Sequence, residues 1–113
     1  MTRKIRFTRQ AEDSLAQIAD WTVETFGMRQ AEIYEQELLD RCGAIADGTA
    51  HNRDCSILAP EGQGMSYTSA GEHFLIHVET KDAIIIVDVL HSRSDLPEKI
   101  RALSGRALPS YLA

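Results

Sequence analysis

The chain has 113 residues, of which 43% are hydrophobic and 26% charged. That is enough apolar material for one core and too little to divide between two, so a single domain over 1–113 is expected. No run approaches the roughly 20 apolar residues of a membrane span, and "MTRKIRFTRQ" lacks the apolar centre of a secretion signal; a cytoplasmic location without membrane partners is the expectation. The formal net charge of −5 is unevenly spread: residues 1–10 carry four cations and no acid, residues 11–50 carry nine acids against two bases, and the rest sums to −2. A field of that sign repels a phosphate backbone, which argues against direct nucleic-acid binding by broad electrostatics.

"KIRF", Lys4 to Phe7, alternates polar and apolar side chains as a half-buried strand does, and Thr8 supplies a cap for a following helix. In that helix Ala11, Leu15, Ile18, Trp21 or Thr22, and Phe26 recur at spacings of three and four, with Gly27 placed for a left-handed C-cap. A second helix from Met28 carries Ala31, Tyr34, Leu38, Cys42 and Ile45 at the same spacing and closes at Gly48. So short a connection predicts an antiparallel helix hairpin. Residues 49–63 lose periodicity and read as a mobile loop.

Three strands follow in "GMSYTS", "EHFLIHVET" and "AIIIVDVLH", joined by turns short enough for an antiparallel meander. The last is apolar at nearly every position, as an interior strand covered by the hairpin is. Asp95 then reads as a helix cap and Pro97 as an early helical position, opening a short C-terminal helix through Leu103. The pattern predicts an α+β fold of two layers: an N-terminal strand, an antiparallel helix hairpin packed on a small mixed sheet with a three-stranded meander, and a short C-terminal helix.

Cys42 and Cys55, 13 apart and outside any CxxC pattern, read as reduced and structural. His73 and His77 share a strand face, but no third ligand accompanies them, so no metal and no cofactor is expected. Trp21 and Tyr34 lie on or beside the helix stripes, where core burial is the leading reading and a grip on a partner the second. Lys4 and Arg6 protect an edge strand from unwanted pairing and offer a positive strip to an acidic partner segment. The run "IIIVDVLHSRSDLP" leaves the core directly into His91, Arg93 and Asp95. Arg93 on such a junction is a candidate contact, with an ion pair to Asp95 as the local alternative; His91 is read as bonding to Asp95 or to a loop backbone group.

The first strand ending "F-T", the helix "A-E-D-S-L-A-Q-I-A-D-W" with Phe26-Gly27 beyond it, "A-E-I-Y-E-Q-E-L", and above all "I-I-I-V-D-V-L-H-S-R-S-D-L" resemble the ParE toxins of the ParE/RelE superfamily, over residues 4–98. The resemblance implies a growth-inhibiting toxin of a type II toxin–antitoxin system, of the kind associated with plasmid stabilisation. It implies neutralisation by a cognate ParD-like, ribbon-helix-helix antitoxin in a hetero-oligomer. DNA gyrase, through its GyrA polypeptide, is the implied target, with no catalysis by the toxin itself. On that reading His91, Arg93, Asp95 and Pro97 meet the target, and Lys4, Arg6, Trp21, Tyr34 and Leu38 meet the antitoxin. The alternative from the RelE branch is a ribosome-dependent mRNA endoribonuclease using His91 and Arg93 with Arg53 or Lys81. Metal-free cleavage of that kind needs clustered proton donors and cations; here no tyrosine adjoins the last strand, Tyr111 lies too far along, and Ser66 stands where the family commonly has an arginine. Ser66 also admits a third reading, a toxin fold that has lost its activity.

Overall fold

The computed structural model describes residues 3–106; Tyr111 and the two ends of the chain lie outside them. In chain order the elements are β1 (Lys4–Phe7), α1 (Arg9–Phe26), α2 (Met28–Ala46), β2 (Arg53–Asp54), β3 (Ser66–Ala70), β4 (His73–Glu79), β5 (Ala83–His91) and α3 (Leu96–Arg106). The sheet order is β1-β5-β4-β3-β2, with β1 parallel to β5 and every other pair antiparallel. The expected α+β mixed sheet, with its hairpin, meander and C-terminal helix, is what the chain forms.

Thr8 makes the first corner. Its N–H donates to Ile86 O at 3.0 Å, its hydroxyl donates to Val87 O at 2.6 Å, and the same oxygen accepts the Ala11 N–H at 3.0 Å. One residue therefore ends β1, caps α1 and fastens both to β5. Gly27 alone separates the two long helices, at φ 94° and ψ 166°. This is positive φ with an extended ψ rather than the left-handed cap the sequence predicts, and only glycine adopts it without strain.

Residues Ala83–Leu90 of β5 are all buried. On one face Ile84, Ile86 and Val89 join Leu75 and Ala70 against Ala11, Leu38, Cys42 and Ile45 of the hairpin. On the other, Val87 and Leu90 join Tyr67, Ile76 and Val78 against Cys55, Ala59, Ile100 and Leu103. The two-layer expectation is thus corrected: α3 and the segment before β3 form a third cover, because a strand apolar on both sides must lose water on both.

That segment, which the sequence reads as a loop, contains β2 and two short 3₁₀ turns, Cys55–Ile57 and Pro60–Gly62. Gly62 packs so closely that a Cβ there would stand 2.7 Å from Cys55 Cβ. Both cysteines are free and buried, and burial pushes the Cys42 thiol to about 11 and the Cys55 thiol to about 12. They are packing residues without a reactive thiolate near neutral pH.

The α1 stripe also resolves differently from one of its options. Ala11, Leu15, Ile18 and Thr22 keep one phase, and Thr22, 7% exposed, returns its hydroxyl to Ile18 O at 2.6 Å. Trp21, one position out of phase, is 60% exposed, so its expected core burial does not occur.

A bulge explains the one acid inside the apolar strand. Ile76 lies opposite Asp88 and His77 opposite Ile86, which leaves Val87 as the extra residue. The buried Asp88 carboxylate accepts Ser14 Oγ at 2.6 Å, Gln10 Nε2 at 3.1 Å and its neighbour Val89 N–H at 2.7 Å. Three donors replace its water, and two of them belong to α1. Asp88→Ala is expected to cost about 3 kcal/mol in urea unfolding, against less than about 0.5 for Asp82→Ala in an exposed turn. Equal effects would mean that the bulge, without the carboxylate, holds α1.

Candidate functional site

The strand-to-helix junction is a tight, self-bonded turn. Leu90 is buried and His91 exposed, so the chain leaves the core in one step. His91 O accepts both Ser94 N–H at 3.0 Å and Ser94 Oγ at 2.7 Å, and His91 Nδ1 accepts the Arg93 N–H at 3.0 Å. Asp95 Oδ1 accepts Glu98 N–H at 3.3 Å while its carbonyl accepts Lys99 N–H at 3.0 Å, which starts α3. Pro97, second in α3, occupies a position where a missing N–H costs nothing. Of the two partners expected for His91, the backbone group is the one it takes. Arg93 is exposed, and among the described residues no ion pair with Asp95 or any other acid engages it. An exposed guanidinium on a backbone fixed from both sides is suited to a carboxylate or backbone carbonyl of a partner.

The His73 ring meets His91 edge-to-face at 5.1 Å, and His73 Nδ1 lies 2.5 Å from Tyr34 Oη. Burial, and then the neighbouring His91, lower the His73 pKa; burial raises that of Tyr34, outweighing the Glu72 N–H it accepts. Beside the junction a groove of about 730 Å³ opens between α1 and α3, with Arg9, Asp13, Asp88, His91 and Lys99 among its walls.

A second surface lies apart from the junction. Lys4 and Arg6 point outward from β1, the sheet's edge strand. At the hairpin tip Trp21 and Phe26 stack edge-to-face at 5.7 Å, and Phe26 and Met28 are each 62% exposed. An apolar aromatic tip of this kind is what partner segments anchor on.

The family described as ParE toxin of type II toxin–antitoxin system, parDE, matches residues 5–96. The chain belongs to this ParE toxin family. Toxin ParE1 of Mycobacterium tuberculosis, in strains CDC 1551 / Oshkosh and ATCC 25618 / H37Rv, is 31% identical over 101 residues, covering 88% of this chain and 100% of that toxin. A chain of the chromosomal ParDE system from P. aeruginosa shares the fold at a TM-score of 0.66 and 16% identity, over 80% of this chain and 96% of that one.

The remaining residues assigned from sequence to this ParE chain are dispersed. Leu38, named as an antitoxin contact, is 2% exposed and packs under the sheet, so it offers no surface. Tyr34, likewise named, spends its hydroxyl on Glu72 N–H and His73. Lys81, named with His91 for RNA cleavage, sits in the β4–β5 turn at the opposite end of the 9-residue β5, about 26 Å from His91. Arg53 is three strands away from β5. Sequence reading missed Phe26, Met28, His73 and Asp88 as parts of these surfaces. A charged residue inside an apolar strand was the available signal for Asp88; for His73 the partner lies 39 residues away, beyond any local pattern.

His77, on the same strand face as His73, is fully buried. Thr68 donates its hydroxyl to Asn52 Oδ1 at 2.6 Å, so it accepts from His77 Nε2 at 2.9 Å, and His77 Nδ1 has no partner among the described residues. No group of three or more His, Cys, Asp or Glu able to hold a metal occurs among the described residues. Burial drives the His77 pKa down to about 4. The unfolded chain, with histidine near 6.5, binds the proton first, so stability is complete above that pH and falls as pH drops towards 4. The expected loss is about 3 kcal/mol across that window. Urea midpoints measured from pH 7 to 4 check it: His77→Gln should flatten the slope, and an unchanged slope would assign it elsewhere.

Proposed function

We propose that this ParE toxin inhibits DNA gyrase by binding, without catalysis of its own, until a ParD-like antitoxin covers it. Membership in the ParE toxin family supports this class of activity, and the exposed Arg93 on its fixed turn supports a contact by shape and charge. His91, Asp95 and Pro97 then hold the shape of that contact rather than react. The wide separation of Arg53 and Lys81 from His91 weighs against those residues acting together as an RNA-cleaving centre.

The antitoxin's place on this reading is the second surface, β1 with the hairpin tip. Lys4 and Arg6 receive an acidic extended segment along the sheet edge, and Trp21, Phe26 and Met28 anchor an apolar one. The neighbour from P. aeruginosa, a ParDE system, is consistent with such a partner.

Two experiments test the parts separately. Arg93→Glu is expected to abolish growth inhibition and gyrase inhibition in a supercoiling assay, while thermal unfolding and antitoxin binding stay unchanged; full toxicity in that variant refutes the assigned contact. Trp21→Ala is expected to weaken antitoxin binding about tenfold or more by calorimetry and to leave toxicity intact. Unchanged affinity would remove the hairpin tip from the antitoxin interface.

A further inference from the structure

A chain of contacts links Arg93 to a helix that is remote from it in sequence. Tyr34, in α2, reaches the turn between β3 and β4, where its hydroxyl accepts the Glu72 N–H at 2.9 Å and meets His73 Nδ1 at 2.5 Å. Two routes lead on. Glu72, gripped at its N–H, accepts the Ser92 N–H on its carbonyl at 2.9 Å. His73, gripped at Nδ1, presents its ring to His91 at 5.1 Å, and His91 Nδ1 accepts the Arg93 N–H at 3.0 Å. Both routes start at one hydroxyl and end on adjacent residues of the junction.

The proton positions follow from the donors. Tyr34 accepts from Glu72, and its own proton goes to His73 Nδ1 in preference to Ala70 O, which stands farther off at 3.4 Å. His73 is thereby set with its proton on Nε2, and His91, accepting at Nδ1, carries its proton on Nε2 as well. A phenol is neutral near neutral pH and burial shifts Tyr34 further that way, so its hydroxyl can both donate and accept. Room for the ring comes from Gly71 at φ +57°, where any Cβ would lie 2.6 Å from Tyr34 Cε1.

We propose that Tyr34 is a positioning residue for the target-contact junction, fixing the Ser92–Arg93 backbone through Glu72 on one route and through His73 and His91 on the other. The target contact itself rests on the reading given under Proposed function. Tyr34 then belongs to the toxic surface, although the sequence resemblance assigns it to the antitoxin.

The test uses the full chain, wild type and two variants, with amide hydrogen exchange by NMR beside the gyrase supercoiling assay. Tyr34→Phe keeps the ring and removes both contacts of the hydroxyl. It is expected to lower protection at Glu72, Ser92 and Arg93 about tenfold or more, with β4 and β5 amides unchanged, and to raise the inhibitory concentration by a similar factor. His73→Phe keeps a ring against His91 without the Tyr34 bond; Arg93 should lose protection while Ser92, held through Glu72, keeps it. Wild-type protection at Arg93 in both variants overturns the proposal, as does a uniform loss over the whole sheet, which would mark Tyr34 as a general packing residue. If Tyr34→Phe fails to fold, the split between Ser92 and Arg93 in His73→Phe decides alone. A wild-type protein inactive on gyrase would remove the target reading, and the exchange data would still decide the positioning role.

Discussion

The fold answers to one strand that has water on neither face. Ala83–Leu90 is buried from end to end, and each large side chain of such a strand is worth on the order of 2 kcal/mol only while both sides stay covered. The long hairpin satisfies one side; α3 and the 3₁₀ segment around Cys55 satisfy the other. β1 lies beside β5 in parallel, which requires the chain to cross over the sheet between them, and α1 and α2 are part of that crossing. Thr8 and Asp88 lock the arrangement at the two points where α1 could slide: one by bonding to Val87 O, the other by accepting from Ser14 and Gln10.

The same constraint makes the junction rigid. A strand buried through Leu90 cannot fray at His91 without exposing its last apolar residues, so the turn that follows starts from a fixed point. His91, Ser94 and Asp95 then spend their polar atoms on backbone groups within the turn, and Arg93 is the member whose side chain remains uncommitted to any acid among the described residues. Placing a cation on bonded backbone lowers the ordering entropy that a flexible loop would lose on binding. Such preorganisation suits the recognition of a partner surface.

Local physics was legible in the residues, and long-range pairing was not. Helix and strand order follow from periods of 3.6 and 2, and the caps at Thr8 and Asp95 follow from short polar side chains next to apolar runs. Trp21 and Thr22 both satisfy the stripe loosely; only the sheet's position against α1 chooses Thr22. Residues 49–63 lack any period because their packing is set by single residues such as Cys55 and Gly62, not by a repeating face. Leu38 fits both a surface and a core role by its helix position alone, and the sheet decides for core. The clamp from Tyr34 to Arg93 spans α2, a turn and two strands, and no spacing rule connects such residues.

Ser66 gains a different meaning once the register is known. It lies opposite His77, whereas the junction is level with the Ala70–His73–His91 row, four residues farther along β3. At about 3.3 Å per residue that places Ser66 roughly 13 Å from the junction along the strand direction. Ser66 therefore stands in another part of the sheet, away from Arg93 and its supporting bonds. Lys4 and Arg6 lie on the β1 edge and Arg93 and Lys99 at or just beyond the junction, with the acidic hairpin between the two pairs in sequence. On the proposed reading two partners of different chemistry would meet separate positive sites, and an antitoxin seated on β1 would not need to imitate the target.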